Sequence, residues 1–315
     1  MGTLAREEPV NLETVNKIAP TAELEKEGAE LRSAGQTGAS VPTWAEKKPA
    51  PRPETRHGWF SVLRSFFIFD PLIWSYTLVL GTISLLSSFV DRNGSFQHKC
   101  ARLWSWLIMK TILSPVKVTG ASNLATPAPS APIRPPTDPP THPKPRVYAV
   151  THASALDIPI LYVYLPFQFR IIFKSELLSY PFIGWHLKRS GQVCINQQNP
   201  AASIGSIKSA LRSLRRGMPL VIFPEGGRTR DGQIQPFLPG AFFLAIKAQA
   251  DIVPIALIGT FELLPMNTYH IKNQPLEMRV GEPISTAGLA ISDTEEVSAK
   301  VKAAIEKLHA SPRTT

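Results

Sequence analysis

Apolar and polar positions divide this 315-residue chain into three stretches of different character. Residues 1–58 are dominated by polar and charged side chains, with few aromatics and a proline-rich end near Pro49, Pro51 and Pro53. Such a stretch buries too little apolar surface to offset chain entropy, so a polar, disordered tail is expected, with at most short helices around Asn11 to Leu31. It has no apolar run near Met1 of the kind a secretory signal needs. From Trp59 to Phe69 the chain turns apolar apart from Arg64, and Pro71 to Val90 runs twenty residues without a charge. As a helix those twenty residues are about 30 Å long, the thickness of a bilayer's hydrocarbon. Apolar side chains surround every face of that helix, which favours membrane insertion over a buried core helix. Basic residues lie on both sides, Arg52, Arg56 and Arg64 before and Arg92, Lys99, Arg102 and Lys110 after. Orientation therefore stays open, and so does the choice between a full span and a helix pair dipping into one leaflet. Ala101 to Leu113 mixes apolar residues with Trp104, Trp106, Arg102 and Lys110, the composition of an interfacial helix, with an amphipathic helix packed on the body as the alternative.

Beyond residue 113 the periods alternate. Short strands are predicted at Val116 to Gly120, Val147 to Val150, Phe169 to Phe173, Pro219 to Phe223 and Ile252 to Ile258. Pro254 marks the last of these as an edge or a bulge. Helices are predicted at Ile158 to Tyr164, Ser203 to Arg216 and Phe242 to Ala250. In the second of these, Ile204, Ile207, Leu211 and Leu214 share a face and Gly217 is the stop. A C-terminal helix opens at the capping-box spacing Ser292 to Glu295 and turns Val297, Val301, Ile305 and Leu308 inward. Strands alternating with helices make an α/β body from about residue 114 onward. Nine prolines between Pro127 and Pro145 exclude regular structure there and mark an extended insertion, taken as 126–145. The expected domains are a tail at 1–58, membrane-associating helices at 59–113 and a catalytic domain at 114–315.

Composition narrows the chemistry. Two cysteines, Cys100 and Cys194, exclude a disulfide-stapled scaffold and a cysteine-rich zinc site. The tail carries a net −1, so the +10 of the whole chain leaves +11 on residues 59–315. That balance suits an anionic partner: nucleic acid, an anionic membrane or a phosphorylated substrate. No nucleic-acid module is present, and aromatics are not interleaved with the basic runs.

Four segments hold candidate chemistry. After the Val147–Val150 strand comes Thr151-His152-Ala153-Ser154-Ala155-Leu156-Asp157. With His152 in a loop and Asp157 in the first helical turn behind it, a carboxylate fixes one imidazole nitrogen and leaves the other as a base. A lone histidine–aspartate pair at this spacing carries limited weight by itself. The second segment, Phe223-Pro224-Glu225-Gly226-Gly227-Arg228-Thr229-Arg230, runs a buried strand into a glycine-rich turn carrying an acid and two arginines. Such a turn lets backbone approach a ligand, and a guanidinium matches phosphate oxygens; a structural turn with Glu225 paired to an arginine is the alternative. Phe237-Leu238-Pro239-Gly240-Ala241-Phe242 opens an apolar helix, and Lys174 ends a strand where its ammonium can meet an anion.

In this order the segments resemble the glycerolipid acyltransferase family, of the 1-acylglycerol-3-phosphate acyltransferase type. His152 and Asp157 match its H-x4-D motif, Phe223-Pro224-Glu225-Gly226 with Arg228 its F-P-E-G-T-R motif, and Gly240-Ala241 its third block. Val253-Pro254-Ile255 matches the closing block, and Gly120 with Asn123-Leu124 the G-x-x-N-L before the catalytic strand. The resemblance implies an α/β fold with a mixed sheet flanked by helices and an N-terminal hydrophobic helix pair. It implies transfer of a fatty acyl chain from acyl-CoA or acyl carrier protein to the free hydroxyl of 1-acylglycerol-3-phosphate, giving phosphatidic acid. His152 would be the general base and Asp157 its orienting partner, with Lys174, Glu225, Gly226 and Arg228 binding substrate. Backbone amides at the Gly226–Gly227 turn or the helix start would stabilise the oxyanion. No metal or organic cofactor is implied, and the catalytic body would sit on the cytoplasmic face of the inner (plasma) membrane.

Four positions depart from the family pattern: Thr151 replaces asparagine, Gly227 threonine, Gln197 an arginine expected to bind acceptor phosphate, and Leu238-Pro239 the usual lysines. The acceptor therefore stays open between 1-acylglycerol-3-phosphate and another lysolipid such as a lyso-ornithine lipid. A non-catalytic membrane-binding relative and a soluble hydrolase are readings of other classes.

Overall fold

The computed structural model describes residues 59–91, 93–124, 145–180, 183–196 and 203–313. The tail at 1–58, the insertion at 126–145 apart from Pro145, and Gln197 lie outside them.

The apolar runs become a seven-stranded mixed sheet. Its strands are β1 (Val116–Thr119), β2 (Arg146–Val150), β3 (Arg170–Lys174), β4 (Val193–Ile195), β5 (Leu220–Ile222), β6 (Asp251–Ile258) and β7 (Leu276–Val280), in the order β1-β7-β6-β2-β5-β3-β4. Five neighbour pairs are parallel, and β6 with β7 is antiparallel. β2 is central and buried on both faces, which is why it reads as an unbroken apolar run. Tyr148 and Val150 enter the core that also holds Ile108, Ile112, Ile160 and Leu161.

Eight α-helices are described: α1 (Trp59–Ser87), α2 (Ser95–Ile112), α3 (Asp157–Tyr164), α4 (Ile183–Arg189), α5 (Ile204–Arg215), α6 (Phe243–Ala248), α7 (Thr260–Leu263) and α8 (Thr294–Ala310). The predicted strands and helices from residue 116 onward are present with shifts of a residue or two at their ends. α4, β4, α7 and β7 are additions, too short or too mixed in pattern to be distinguished along the chain. In α5, Ile207, Ala210 and Leu214 are buried, and Gly217 at φ +86° closes the helix. The predicted Ser292–Glu295 capping box does not form. A 3₁₀ turn at Ile291–Asp293 precedes α8, and Asp293 instead accepts the Ala290 N–H at 2.8 Å.

Pro254 lies in an interior strand, so the edge alternative falls and the bulge alternative stands. Its missing N–H faces the side where the β6–β7 ladder changes register. Ile255 pairs with Val280 but Ile252 with Ile284, so the β7 side carries one extra residue. Gly281 fills the bulge, donating to Pro254 O at 2.8 Å.

The apolar stretch from Trp59 and most of the uncharged run form one 29-residue helix, α1. A π turn at Ser65–Phe69 sits just before Pro71. It accommodates a ring that would otherwise crowd the preceding carbonyls. Trp59, Phe67, Trp74, Val79 and Leu86 are exposed. α2 packs on the body as its amphipathic alternative has it, burying Ile108, Met109 and Ile112, while Leu103 and Trp106 are exposed.

β7 and α8 are tied by one side chain. Arg279, nearly buried, pairs with Glu277 at 2.6 Å and donates to Leu308 O, Ser311 O and Pro312 O at 2.6–2.9 Å. Arg279→Ala removes the partner of a buried carboxylate and should cost about 3–5 kcal/mol, read as a lowered urea midpoint.

Candidate active site

Three site segments converge because β2, β5 and β3 are adjacent and parallel. Their C-terminal ends open on one side of the sheet, where open α/β folds place ligands. His152 follows β2, Phe223 to Arg228 follow β5, and Lys174 ends β3.

Asp157 is the first residue of α3 and is fully buried. Its Oδ2 accepts from His152 Nδ1 at 2.9 Å and from the Ala153 and Ser154 amides at 2.8 and 2.9 Å. Three donors thus hold this one carboxylate oxygen in place at a helix N-terminus. They also assign the imidazole proton to Nδ1 and leave Nε2 as the nitrogen able to take a proton. The ring stacks on Phe223 with centroids 4.1 Å apart, and its side chain is 17% exposed, so one edge reaches the opening. Ser154 braces the loop, donating to Leu264 O at 2.9 Å.

Glu225 is 7% exposed, and both its oxygens meet backbone amides. Oε1 accepts from His152 N at 2.7 Å and Oε2 from Gln235 N at 2.9 Å. Its carboxylate thus faces the histidine loop and not the arginines. Burial pushes its pKa up to about 7; the two amides oppose the rise, and the charges of Asp157 and Asp231 add to it. Gly226 adopts φ +68° and donates to Phe223 O at 2.9 Å. The Gly226 amide and those of Ala153 and Ser154 are therefore already engaged, which removes them from the expected oxyanion donors.

Lys174 and Arg228 are exposed at the opening. A Cβ placed on Gly227 would lie 3.7 Å from Lys174 Nζ, so the glycine in place of threonine leaves room beside that ammonium. Thr151 also has a structural reason. Its N–H donates to Ile255 O at 3.2 Å and its Oγ1 accepts from Leu257 N at 2.9 Å, extending the β2–β6 ladder to the residue before His152. Gly240-Ala241 lies in a 3₁₀ turn, Pro239–Phe242, away from these contacts, and the adjoining Leu238 N–H donates to Pro224 O at 2.8 Å. Phe223, Thr229 and Gln235 have contacts that the motifs did not assign. Stacking by Phe223 is readable from an aromatic at a strand end, but no spacing rule links Gln235 to Glu225.

Residues 115–258 match the family model described as Acyltransferase. Residues 115–258 thus carry an acyltransferase domain of the kind that model describes. It is 30% identical over 178 residues to 1-acyl-sn-glycerol-3-phosphate acyltransferase LPAT1, chloroplastic, of Arabidopsis thaliana, covering 56% of this chain and 45% of that protein. It is 31% identical over 234 residues to a 1-acyl-sn-glycerol-3-phosphate acyltransferase of Chlamydomonas reinhardtii, covering 72% and 63%. The chain thus spans about half the length of several curated relatives that it matches. The crystal structure of the 1-acyl-sn-glycerophosphate (LPA) acyltransferase PlsC from Thermotoga maritima superposes with a TM-score of 0.59 at 21% identity. It covers 81% of this chain and 98% of that one, which shows the shared fold.

The acyltransferase domain carries a pH signature. The folded state holds the Glu225 proton more tightly than the unfolded chain, whose pKa is near 4.5. Stability from this group is therefore full below pH 4.5 and lost as pH rises through about 7. Unfolding measured from pH 4.5 to 7.5 should show wild type losing stability relative to Glu225→Gln across that window; parallel curves would refute the assignment.

Proposed function

We propose that this chain transfers an acyl group from an acyl thioester, on coenzyme A or acyl carrier protein, to the free hydroxyl of 1-acylglycerol-3-phosphate, forming phosphatidic acid. The observation that carries the reading is the His152–Asp157 pair at 2.9 Å, opening beside Lys174 and Arg228 on neighbouring parallel strands. The names of the relatives support the acceptor.

His152 Nε2 takes the hydroxyl proton as the oxygen attacks the thioester carbonyl. The Nδ1–H bond to Asp157 steadies the cation that forms. When the C–S bond breaks, the thiolate leaves with that proton, and the imidazole returns to neutral. Lys174 and Arg228 hold the acceptor phosphate, and the Gly226 turn fixes the backbone between them. Glu225 acts by holding the histidine loop.

The acceptor and product are lipids, and α1 gives the body a membrane-facing side. Over about 43 Å of length, α1 is fastened to the rest of the chain at both ends. Ser61 Oγ meets His270 Nε2 at 3.1 Å, and Ser65 Oγ accepts from Ile271 N at 2.9 Å. Near the other end, Ser84 Oγ meets His186 Nδ1 at 2.8 Å, and the Arg189 guanidinium lies 4.2 Å from the Phe89 ring. A helix held along one side offers only its outer face to lipid, which favours burial in one leaflet over a full span. The reading puts the body on the cytoplasmic face, where acyl donors are.

Detergent-solubilised protein, given labelled acyl-CoA or acyl carrier protein and 1-acylglycerol-3-phosphate, should form phosphatidic acid. His152→Ala should lose about 10²–10⁴ in rate. Arg228→Ala should raise the acceptor KM about tenfold, with the donor KM unchanged. Thioester loss without that product would point to another acceptor or to hydrolysis; no thioester loss with folded protein would sink the reading.

For the membrane side, Phe67→Asp with Val79→Asp should shift the protein from floating with anionic vesicles to the soluble fraction, because a charge on an inserted face costs about 2–3 kcal/mol. Unchanged flotation would refute this face.

A further inference from the structure

We infer that Gln235 and Thr229 are positioning residues that set the distance between the base and the cationic loop; the inference rests on the acyl-transfer reading above. Four hydrogen bonds form a closed circuit. The His152 N–H donates to Glu225 Oε1 at 2.7 Å, and Glu225 Oε2 accepts from Gln235 N at 2.9 Å. The Gln235 side chain donates to Thr229 Oγ1 at 3.1 Å, and the Thr229 N–H returns to His152 O at 2.9 Å. Both backbone polar groups of His152 are thereby gripped by the loop after β5.

The circuit is braced from outside. Thr229 Oγ1 donates to Asp231 Oδ1 at 2.8 Å, and Gln235 Nε2 reaches the same oxygen at 3.0 Å. Pro224 O and Leu238 N close the base of the loop at 2.8 Å. Thr229 is 3% exposed, while Arg228 and Arg230 on either side are exposed. Neither guanidinium bonds any described residue. Among the described residues, then, it is the backbone of the buried threonine between them that places the arginines.

The acceptor's phosphate and hydroxyl are joined through a few single bonds, so their separation has a short upper limit. A site that grips both needs a matching separation between guanidinium and imidazole. The circuit supplies it by bonding one loop directly to the other. A displacement of about 1 Å at such a site can cost up to about 100-fold in rate.

The test compares Gln235→Ala, Thr229→Val and Thr229→Ser with wild type and His152→Ala, on the full chain in detergent. Steady-state rates are read against acceptor and donor separately. Hydrogen exchange of the Thr229 amide is followed, and folding is checked by thermal unfolding. Gln235→Ala and Thr229→Val should each raise the acceptor KM and lower kcat, about tenfold or more in kcat/KM, with the donor KM unmoved. Thr229→Ser, which keeps the hydroxyl, should restore most of the loss, and Gln235→Ala should speed exchange at Thr229.

Wild-type acceptor kinetics in folded Gln235→Ala and Thr229→Val would overturn the inference. So would equal losses against donor and acceptor that merely follow the unfolding temperature. If Gln235→Ala does not fold, the Thr229→Val and Thr229→Ser pair decides. If wild type transfers nothing, the acyl-transfer reading falls, and the exchange measurement still judges the circuit, with unchanged protection in Gln235→Ala counting against it.

Discussion

The site depends on keeping a charged carboxylate inside the protein. Asp157 has no exposure to water, so its charge must be compensated where it lies. Two amides of the Ala153–Ser154 turn and the His152 ring supply that compensation, and all three converge on one oxygen. This sets the loop between β2 and α3. It must turn back tightly enough to aim two N–H groups at the first helical residue, and the imidazole follows the loop. Glu225 and Thr229 then fix the loop from the other side, through the backbone of the same histidine.

What was legible in the chain follows from this. The His152–Asp157 pairing could be read because its parts are five residues apart, joined by a loop and a helix start. β2 was equally plain, since burial on both faces leaves an unbroken apolar run. The convergence of Lys174 and Arg228 on the histidine was legible only through the resemblance, because strand order is not written in any local pattern. Gln235 was invisible. Its contact with Glu225 uses its backbone N–H, which any residue but proline carries, and its side-chain contacts depend on how the loop folds. The capping reading at Ser292 failed for a related reason: a 3₁₀ turn, Ile291–Asp293, precedes the helix, and the Asp293 carboxylate accepts from Ala290 N–H at that turn while no side chain caps α8 itself. Pro254 was half legible, since a proline announces a break in a ladder without saying which side of the strand carries it.

α1 adds a constraint from outside the sheet. Its inward side sets serines and threonines beside the core-packed Phe69, Ile73 and Tyr76. Thr77 accepts from Trp104 Nε1 at 2.9 Å, and Ser65 lies fully buried between Tyr269 and Ile271. Small hydroxyls bring the helix close and give specific partners, while the outward side stays apolar. The two sides answer to different surroundings, which explains a sequence apolar all round by composition yet fastened to the body along its length.

Chain continuity links these two parts of the molecule. Lys174 ends β3, and the segment after it leads through a 3₁₀ turn, Ser175–Ser179, toward α4, which rests on the end of α1. Leu177 and Tyr180 in the first part and Ile183 and Trp185 in α4 are exposed, so the apolar surface does not stop at α1. A lysine at the start of this segment cannot change its height relative to α1 without moving α4. On the proposed reading, the depth at which α1 rests in a leaflet therefore fixes the height of the ammonium that meets the lipid phosphate. A lysolipid whose headgroup stays at the membrane surface can then present its hydroxyl to His152 without leaving the bilayer. The cost of transferring its acyl chain through water never arises. The same link explains why the cations sit at strand ends and on a backbone-braced loop: an anchor that works at a fixed height must be carried by elements that do not move independently of the sheet.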